Sequence, residues 1–594
     1  MKNYGHRHAT VRSLRLCVES LLAGCLRVPY PSVRKVTINV RACFRRGGLA
    51  PFVIALAGLM VVGSAAAQPS SVLTAFASSS LLPSYITAGP VVRLAEAEGP
   101  AIQDSSPAAV VAAARRYWQA NEVRILGELM EFLAIPNVFS DPEGIRRNAE
   151  WLVAALERRG IEAELLETGG APYVFGRRRV AGARRTLLFY CHYDGQPVDV
   201  SLWVGHDPWD PVVRDGRLAD GAAIVSLPES GIDPDWRVYA RAAADDRSPI
   251  IMILAALDAL EAAGLESQAN LKFLFQGDEE IGSPYMEVAA HQYRQRWAAD
   301  LAVIGDGPKH PSGRPTVSFG MRGIRKVQIT VYGPKQPLHS GHYGGWAPNP
   351  AMRLAHLLAS MKDPETGKVL IEGWSEDHVP LSETELASLD TIPYDPADSP
   401  AVLGFAAPEG PWERRLEAVT YPGLNVTGLA SAWVNEQARS VIPDRAIAEL
   451  DLRLVPNIQA QPQFQRLIEH IRRQGYHVVS EEPDAEVRAR YPRIARVTSK
   501  EEGYPGVRTP MDLPIGQAVR HRLRAAFGLE PVAFPTEGGS NSMYVFPDVV
   551  GVPIIVMPTV NHDNNQHSPN ENVRIGNVWE GIELYALMLT LPFP

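Results

Sequence analysis

The period of the hydrophobic positions changes several times along this chain, and the changes divide it. From Ser106 onward, Val110, Val111, Ala114, Tyr117 and Trp118 recur at helical spacing, followed by Ile125, Leu129 and Phe132. Thr186–Tyr190 (TLLFY) is a short unbroken apolar run, the pattern of a strand buried on both faces of a sheet. Leu271–Gln276 and Leu301–Ile304 read the same way, and Pro249–Ala263 reads as an apolar helix closed by Gly264. Strands alternating with helices predict an α/β sheet covered on both faces.

After Arg322-Gly323 the period changes. Lys326–Val331 (KVQITV) and Glu449–Leu454 (ELDLRL) alternate as half-exposed strands, with helical stretches at Ala351–Lys362 and Gln463–Gln474. From about Thr509 the buried pattern returns, including Pro553–Met557 (PIIVM). The expected organisation is a catalytic α/β domain in two parts, residues 106–321 and 506–594, with a mostly parallel central sheet flanked by helices. An α+β lid or dimerisation domain, residues 322–505, is inserted between them. Lys326–Val331 is the expected edge strand of that insert, and an unpaired edge invites a second chain.

The N-terminal region reads differently. Arg45 and Arg46 precede an apolar run from Leu49 to Gly63, and Ala65-Ala66-Ala67 precede Gln68. Basic flank, short apolar segment and small-residue cleavage site are the parts of a secretory signal. The run is about 15 residues, short of the roughly 20 that span a bilayer. Residues 1–67 are therefore expected to be a signal peptide and 68–105, rich in Ala, Ser, Pro and Gly, a linker. The mature protein is expected to be periplasmic or secreted, with no stable membrane association. Cys191 is the only cysteine outside the leader, so the body can form no internal disulfide. The leader holds ten Lys/Arg and one acid, which leaves 48 basic against 65 acidic residues and a balance of −17 in the remainder. A body that acidic argues against nucleic acid as a partner.

Against this frame seven residues stand out: His192 with Asp194, Asp245, Glu279 with Glu280, Asp306, and His567. His192, the Glu279-Glu280 pair and Asp306 each follow a predicted buried strand, where open α/β sheets place their ligands. Alone, Asp245-Asp246 would be a solvated acidic pair or a helix cap, and Glu279-Glu280 an exposed loop. Together they supply the His nitrogens and carboxylates that zinc accepts. Five of the seven suffice for two zinc ions that share one carboxylate; the other two would orient a ligand and act as a base. That is the inventory for hydrolysing an amide, whose carbonyl is a poor electrophile and whose attacking water is a poor nucleophile.

The order and setting of these motifs resemble the di-zinc metallopeptidase family of carnosinases, bacterial glutamate carboxypeptidase, aminoacylase, acetylornithine deacetylase and succinyl-diaminopimelate desuccinylase, over roughly residues 115–590. The carnosinase-like dipeptidase branch is the nearest. The resemblance implies that His192 and Asp306 bind one Zn2+, Glu280 and His567 the other, and that Asp245 bridges them, two ions per subunit, with Co2+ or Mn2+ able to substitute. It implies that Asp194 orients His192, that Glu279 is the general base, and that the Asp245-Asp246 peptide is cis. It further implies that His339, in LHSGHYGG, stabilises the tetrahedral intermediate across a homodimer. Arg453 would clamp the substrate carboxylate, and Gly538, Gly539 and Ser540 would line its binding loop. The implied substrate is a dipeptide or short peptide cut next to a free carboxylate, or, as an alternative, an N-acyl amino acid. A catalytically silent binding protein on this fold is the reading from another class; loss of Glu279 or of a ligand would signal it, and all are present. The chain departs from the family's G-R-G-x-x-D-D-K-G at Ala240-Arg241-Ala242-Ala243-Ala244-Asp245-Asp246-Arg247-Ser248. Alanine reaches positive φ less cheaply than glycine, so the backbone there is expected to differ slightly.

Overall fold

The computed structural model describes residues 105–412 and 414–593. The expected signal segment and nearly all of the linker lie outside the described residues.

Two sheets organise the chain. It first lays down β1 (Glu162–Leu166), β2 (Tyr173–Arg178), β3 (Thr186–His192), β4 (Asn270–Gln276), β5 (Leu301–Ile304) and β6 (Thr316–Ser318). It then builds β7 (Gly320–Tyr332), β8 (Gly423–Ser431), β9 (Arg445–Leu454), β10 (His477–Val479) and β11 (Ile494–Thr498), and returns with β12 (Val532–Phe534), β13 (Glu537–Ser540) and β14 (Ile554–Val556). The first sheet runs β1-β2-β4-β3-β5-β14-β6-β12. Its centre, β4-β3-β5-β14, is parallel throughout, and antiparallel pairs lie outside that centre.

The unbroken apolar runs are explained by this placement. Leu187 to His192 of β3 are all buried, with helices on both sides of the sheet. The helix Arg247–Ala262 leads from the His192 region to β4. Its first eleven residues are all buried, because it packs against the helices Pro107–Ala120, Glu122–Leu133 and Ile575–Leu589. A helix covered all round has no need of a polar face.

The second sheet runs β8-β9-β7-β11-β10. One face packs on the helices Pro350–Ala359 and Ala460–Arg473, through Val327, Ile329, Leu450 and Leu452 against Leu354, Leu357, Leu467 and Ile471. Here one expectation is corrected. Lys326–Val331 is not an edge: it lies in β7, between β9 and β11. Alternation reports that one face of a strand is covered; it carries no information about who sits beside it. The long edge is β8, whose Val426 and Leu429 are 49% and 65% exposed. The start of β7 also pairs with β13 and with Val507-Arg508, so one strand runs from the first sheet's surroundings into the second sheet. Among the described residues no helix is long and apolar enough to cross a membrane.

Candidate active site

The site forms at the C-terminal ends of the central strands. His192 is the last residue of β3; Glu279-Glu280 and Asp306 lie just past β4 and β5. Asp245-Asp246 immediately precede the helix Arg247–Ala262, and His567 sits in the loop after β14. The peptide between Asp245 and Asp246 is cis.

Asp245 is the hub. His192 Nε2 lies 3.0 Å from its Oδ1, and His567 Nε2 lies 3.0 Å from its Oδ2 and 3.2 Å from Glu280 Oε2. Ligand-type atoms of His192, Asp245 and Asp306 lie within 4.8 Å of one another, and so do those of Asp245, Glu280 and His567. Two donors each about 2 Å from one zinc ion lie roughly 3 Å apart, so the two groups fit two cations that share the Asp245 carboxylate. The donor set, imidazole nitrogen and carboxylate oxygen, suits zinc and its divalent neighbours alike.

Electrostatics agree with that fit. Asp194, Asp245, Glu279, Glu280 and Asp306 converge here, and among the described residues no Lys or Arg forms an ion pair with any of them. Burial, then the charges of Asp306, Glu280 and Asp194, push the Glu279 carboxyl well above the usual carboxylate range, against the pull of His192. Burial and the neighbouring Asp245 raise Asp306 to about 6. Asp245 is held low despite burial, because His192 and His567 donate to it. Contacts with Asp245 and Glu280 raise His567 to about 10. Burial opposes a charge on His192, but its contacts with Asp194 and Asp245 outweigh burial and raise it.

Asp194 ties the two halves together. One of its oxygens is 3.4 Å from His192 Nδ1, long for a hydrogen bond. The same carboxylate accepts the backbone N–H groups of Glu279 at 3.2 Å and Glu280 at 2.9 Å. It therefore fixes the turn of the two glutamates as well as facing the histidine. Gln196, which sequence reasoning missed, donates to Glu280 Oε2 at 2.8 Å. Glu571 was missed as well: it accepts from Ala242, Ala244 and Asp245 N–H groups. Ala242 takes φ 62°, a left-handed conformation that costs a non-glycine residue roughly 1–2 kcal/mol. The alanine has not spared the backbone that turn.

The substrate-binding residues named from the sequence also meet. Arg453, on β9, donates to Ser540 Oγ at 3.0 Å and pairs with Asp451 at 3.1 Å; Gly538 and Gly539 beside it are exposed. Two further residues join them. Arg322 donates to the Tyr421 carbonyl at 3.0 Å, and burial, then the like charge of Arg453, pulls it down to about 10. Glu537 has no cationic partner among the described residues; burial, then Asp306, raises it to about 8. Burial, then the charge of Glu279, raises the Tyr504 hydroxyl above its ordinary range, against the opposing pull of Arg453. His339 stands apart. It is exposed, its Nδ1 accepts from Gly341 N at 3.1 Å, and its ring lies 4.6 Å from that of His342. Among the described residues it makes no hydrogen bond or ion pair with the metal-type ligands.

The fold and this donor set define a metal-dependent hydrolase. The chain belongs to peptidase family M20/M25/M40, whose model matches residues 188–591, and is a metallopeptidase. It is 25% identical to the Cys-Gly metallodipeptidase of Schizosaccharomyces pombe, over 77% of this chain and 93% of that one. It is 26% identical to the human Beta-Ala-His dipeptidase, over 68% and 73% of the two chains. The solved M20 family metallo-carboxypeptidase of Sulfolobus solfataricus matches with a TM-score of 0.63 at 28% identity, covering 79% of this chain and 98% of its own.

Proposed function

We propose that the protein is an exported di-zinc dipeptidase that cleaves the amide bond next to a free carboxylate, with Glu279 as general base. The observation that carries this reading is the placement of Asp245, one oxygen facing each histidine, with Glu279 beside the two groups but in neither. Bound there, the cations would acidify water and polarise the scissile carbonyl. Glu279 takes the proton of the attacking water and delivers it to the leaving amine as the carbon–nitrogen bond breaks. Arg453 and Ser540, with Arg322 adjoining, hold the substrate carboxylate in a charge-assisted fork. Glu537, a half-buried acid without a cationic partner among the described residues, is suited to the free amino group of a dipeptide. An N-acyl amino acid would leave that acid unpaired, which is why the dipeptidase reading stands above the deacylase one.

His339 is assigned to the oxyanion that develops on the carbonyl, supplied by a second copy of the chain in a homodimer. Its exposure and its lack of any bond to the ligand residues support this, and so does the exposed apolar edge of β8. Export rests on the leader pattern of residues 45–67.

The test is metal analysis with a substrate panel: a dipeptide, the same dipeptide as its C-terminal amide, and an N-acetyl amino acid. Two zinc ions per chain and clear preference for the free dipeptide are expected. Preference for the N-acetyl amino acid would establish the deacylase, and metal-loaded protein that cleaves none of the three would establish the silent binding protein.

A further inference from the structure

The reading above assigns no role to Glu571, yet it is one of the most heavily engaged acids in the molecule. It is fully buried. Its Oε1 accepts the N–H of Ala244 at 2.8 Å and of Asp245 at 2.9 Å. Its Oε2 accepts the N–H of Ala242 at 3.0 Å and Arg241 Nη1 at 2.7 Å. Four donors from five consecutive residues thus converge on one carboxylate, and the last belongs to the hub residue Asp245. The Glu571 carbonyl accepts the N–H of Ala240 at 3.2 Å.

The other end of the same segment carries His567. Asn572 closes the turn that holds it, donating its backbone N–H to the Asn564 carbonyl at 2.8 Å. Asn572 also pairs with Tyr239 on the strand that leads into the Asp245 loop. Glu571 therefore sits where the loop of the shared carboxylate and the loop of a histidine ligand are joined. Ala242 lies in the middle of the clamped stretch at φ 62°. An alanine does not hold that conformation by its own preference, and the carboxylate that captures its N–H supplies a reason for it to stay.

We propose that Glu571 is the positioning residue of the metal centre. It moulds residues 241–245 so that the two oxygens of Asp245 point in opposite directions, one toward His192 and one toward His567. It acts on the metals only through Asp245, and the inference rests on the shared-carboxylate reading above. A glutamine in its place has the same size but only one acceptor oxygen, and its amide would confront two of the four donors. An aspartate keeps the charge but is a methylene too short to serve all four.

The experiment measures zinc stoichiometry and chelator-competition affinity of the full chain, together with amide hydrogen exchange over residues 240–246. In Glu571→Gln, zinc affinity should fall about 10–100-fold, and exchange at Ala242, Ala244 and Asp245 should accelerate while β3 and β5 stay protected. Ala242→Gly, which reaches positive φ without help, should restore part of that affinity in the Glu571→Gln background and change little on its own. Rescue of this kind separates positioning from a general loss of stability. Should Glu571→Gln not fold, Glu571→Asp carries the test, with a smaller loss in the same direction. Unchanged zinc affinity in whichever variant folds, or a loss that Ala242→Gly does not relieve, overturns the proposal. Wild-type protein that binds a single zinc, or an Asp245→Asn variant that keeps two, would instead overturn the shared-carboxylate reading itself.

Discussion

Two regions of this molecule carry candidate chemistry and are built in opposite ways. Around Asp245 most groups are enclosed: His192 is 1% exposed and Asp245 5%, and the loop that bears Asp245 is held by a buried carboxylate, while the His567 side chain, 58% exposed, opens to solvent. Around His339 most residues face solvent, with Gly341 to Trp346 exposed without a break and Trp346 81% exposed. An enclosed set of ligands can be pre-organised by the chain that supplies it. An exposed histidine beside an exposed aromatic run has no comparable support within its own chain. The contrast supports the proposal that the first region is assembled within one subunit and that the second acquires its function when something covers it. A second copy of the chain is the occupant proposed here.

The largest effect is expected where the enclosed region is cut at its hub. Asp245→Asn removes the charge that two cations would share, and should abolish binding of both and reduce hydrolysis to background. Zinc analysis and turnover on a dipeptide check this together. Loss of only one ion would show that Asp245 serves a single site. A smaller effect is expected in the exposed region. His339→Ala should keep both zinc ions and lower kcat about 10²–10³-fold, the usual cost of one oxyanion donor. The two regions can then be set against each other by mixing Glu279→Gln with His339→Ala under conditions that exchange subunits. Roughly half of randomly exchanged dimers are mixed, and each has one site with both groups intact, so activity should recover to roughly a quarter of native. No recovery after demonstrated exchange would place His339 in its own subunit's chemistry or outside chemistry altogether.

The same contrast explains what could be read from the sequence. β3, β5 and β14 are buried on both faces, and such strands must be continuous apolar runs; TLLFY, LAVI and PIIVM announce themselves. The candidate ligand residues were legible because metal chemistry restricts residue type and an α/β sheet restricts place. β8 was not legible: GLNVTGLAS has neither alternation nor an unbroken run, since much of it is exposed at a sheet edge. The error over Lys326–Val331 has the same root, because period reveals covered faces and not neighbours. Glu571 was invisible for another reason. Its meaning lies in a hydrogen bond to Asp245 spanning 326 residues of sequence, and nothing local distinguishes it from any acid in a loop. Arg322 and Glu537 likewise matter only through Arg453 and Asp306, which the fold brings beside them.

The central claim is that the enclosed region separates binding from proton transfer, giving Glu280 to a metal and leaving its neighbour Glu279 free. The most direct measurement is zinc content and kcat of Glu279→Gln on the same protein sample. The account predicts two zinc ions per chain, unchanged folding, and a kcat lowered about 10²–10⁴-fold, the range for loss of a general base. Near-native turnover with full zinc content, or loss of a zinc ion on this substitution, would contradict it.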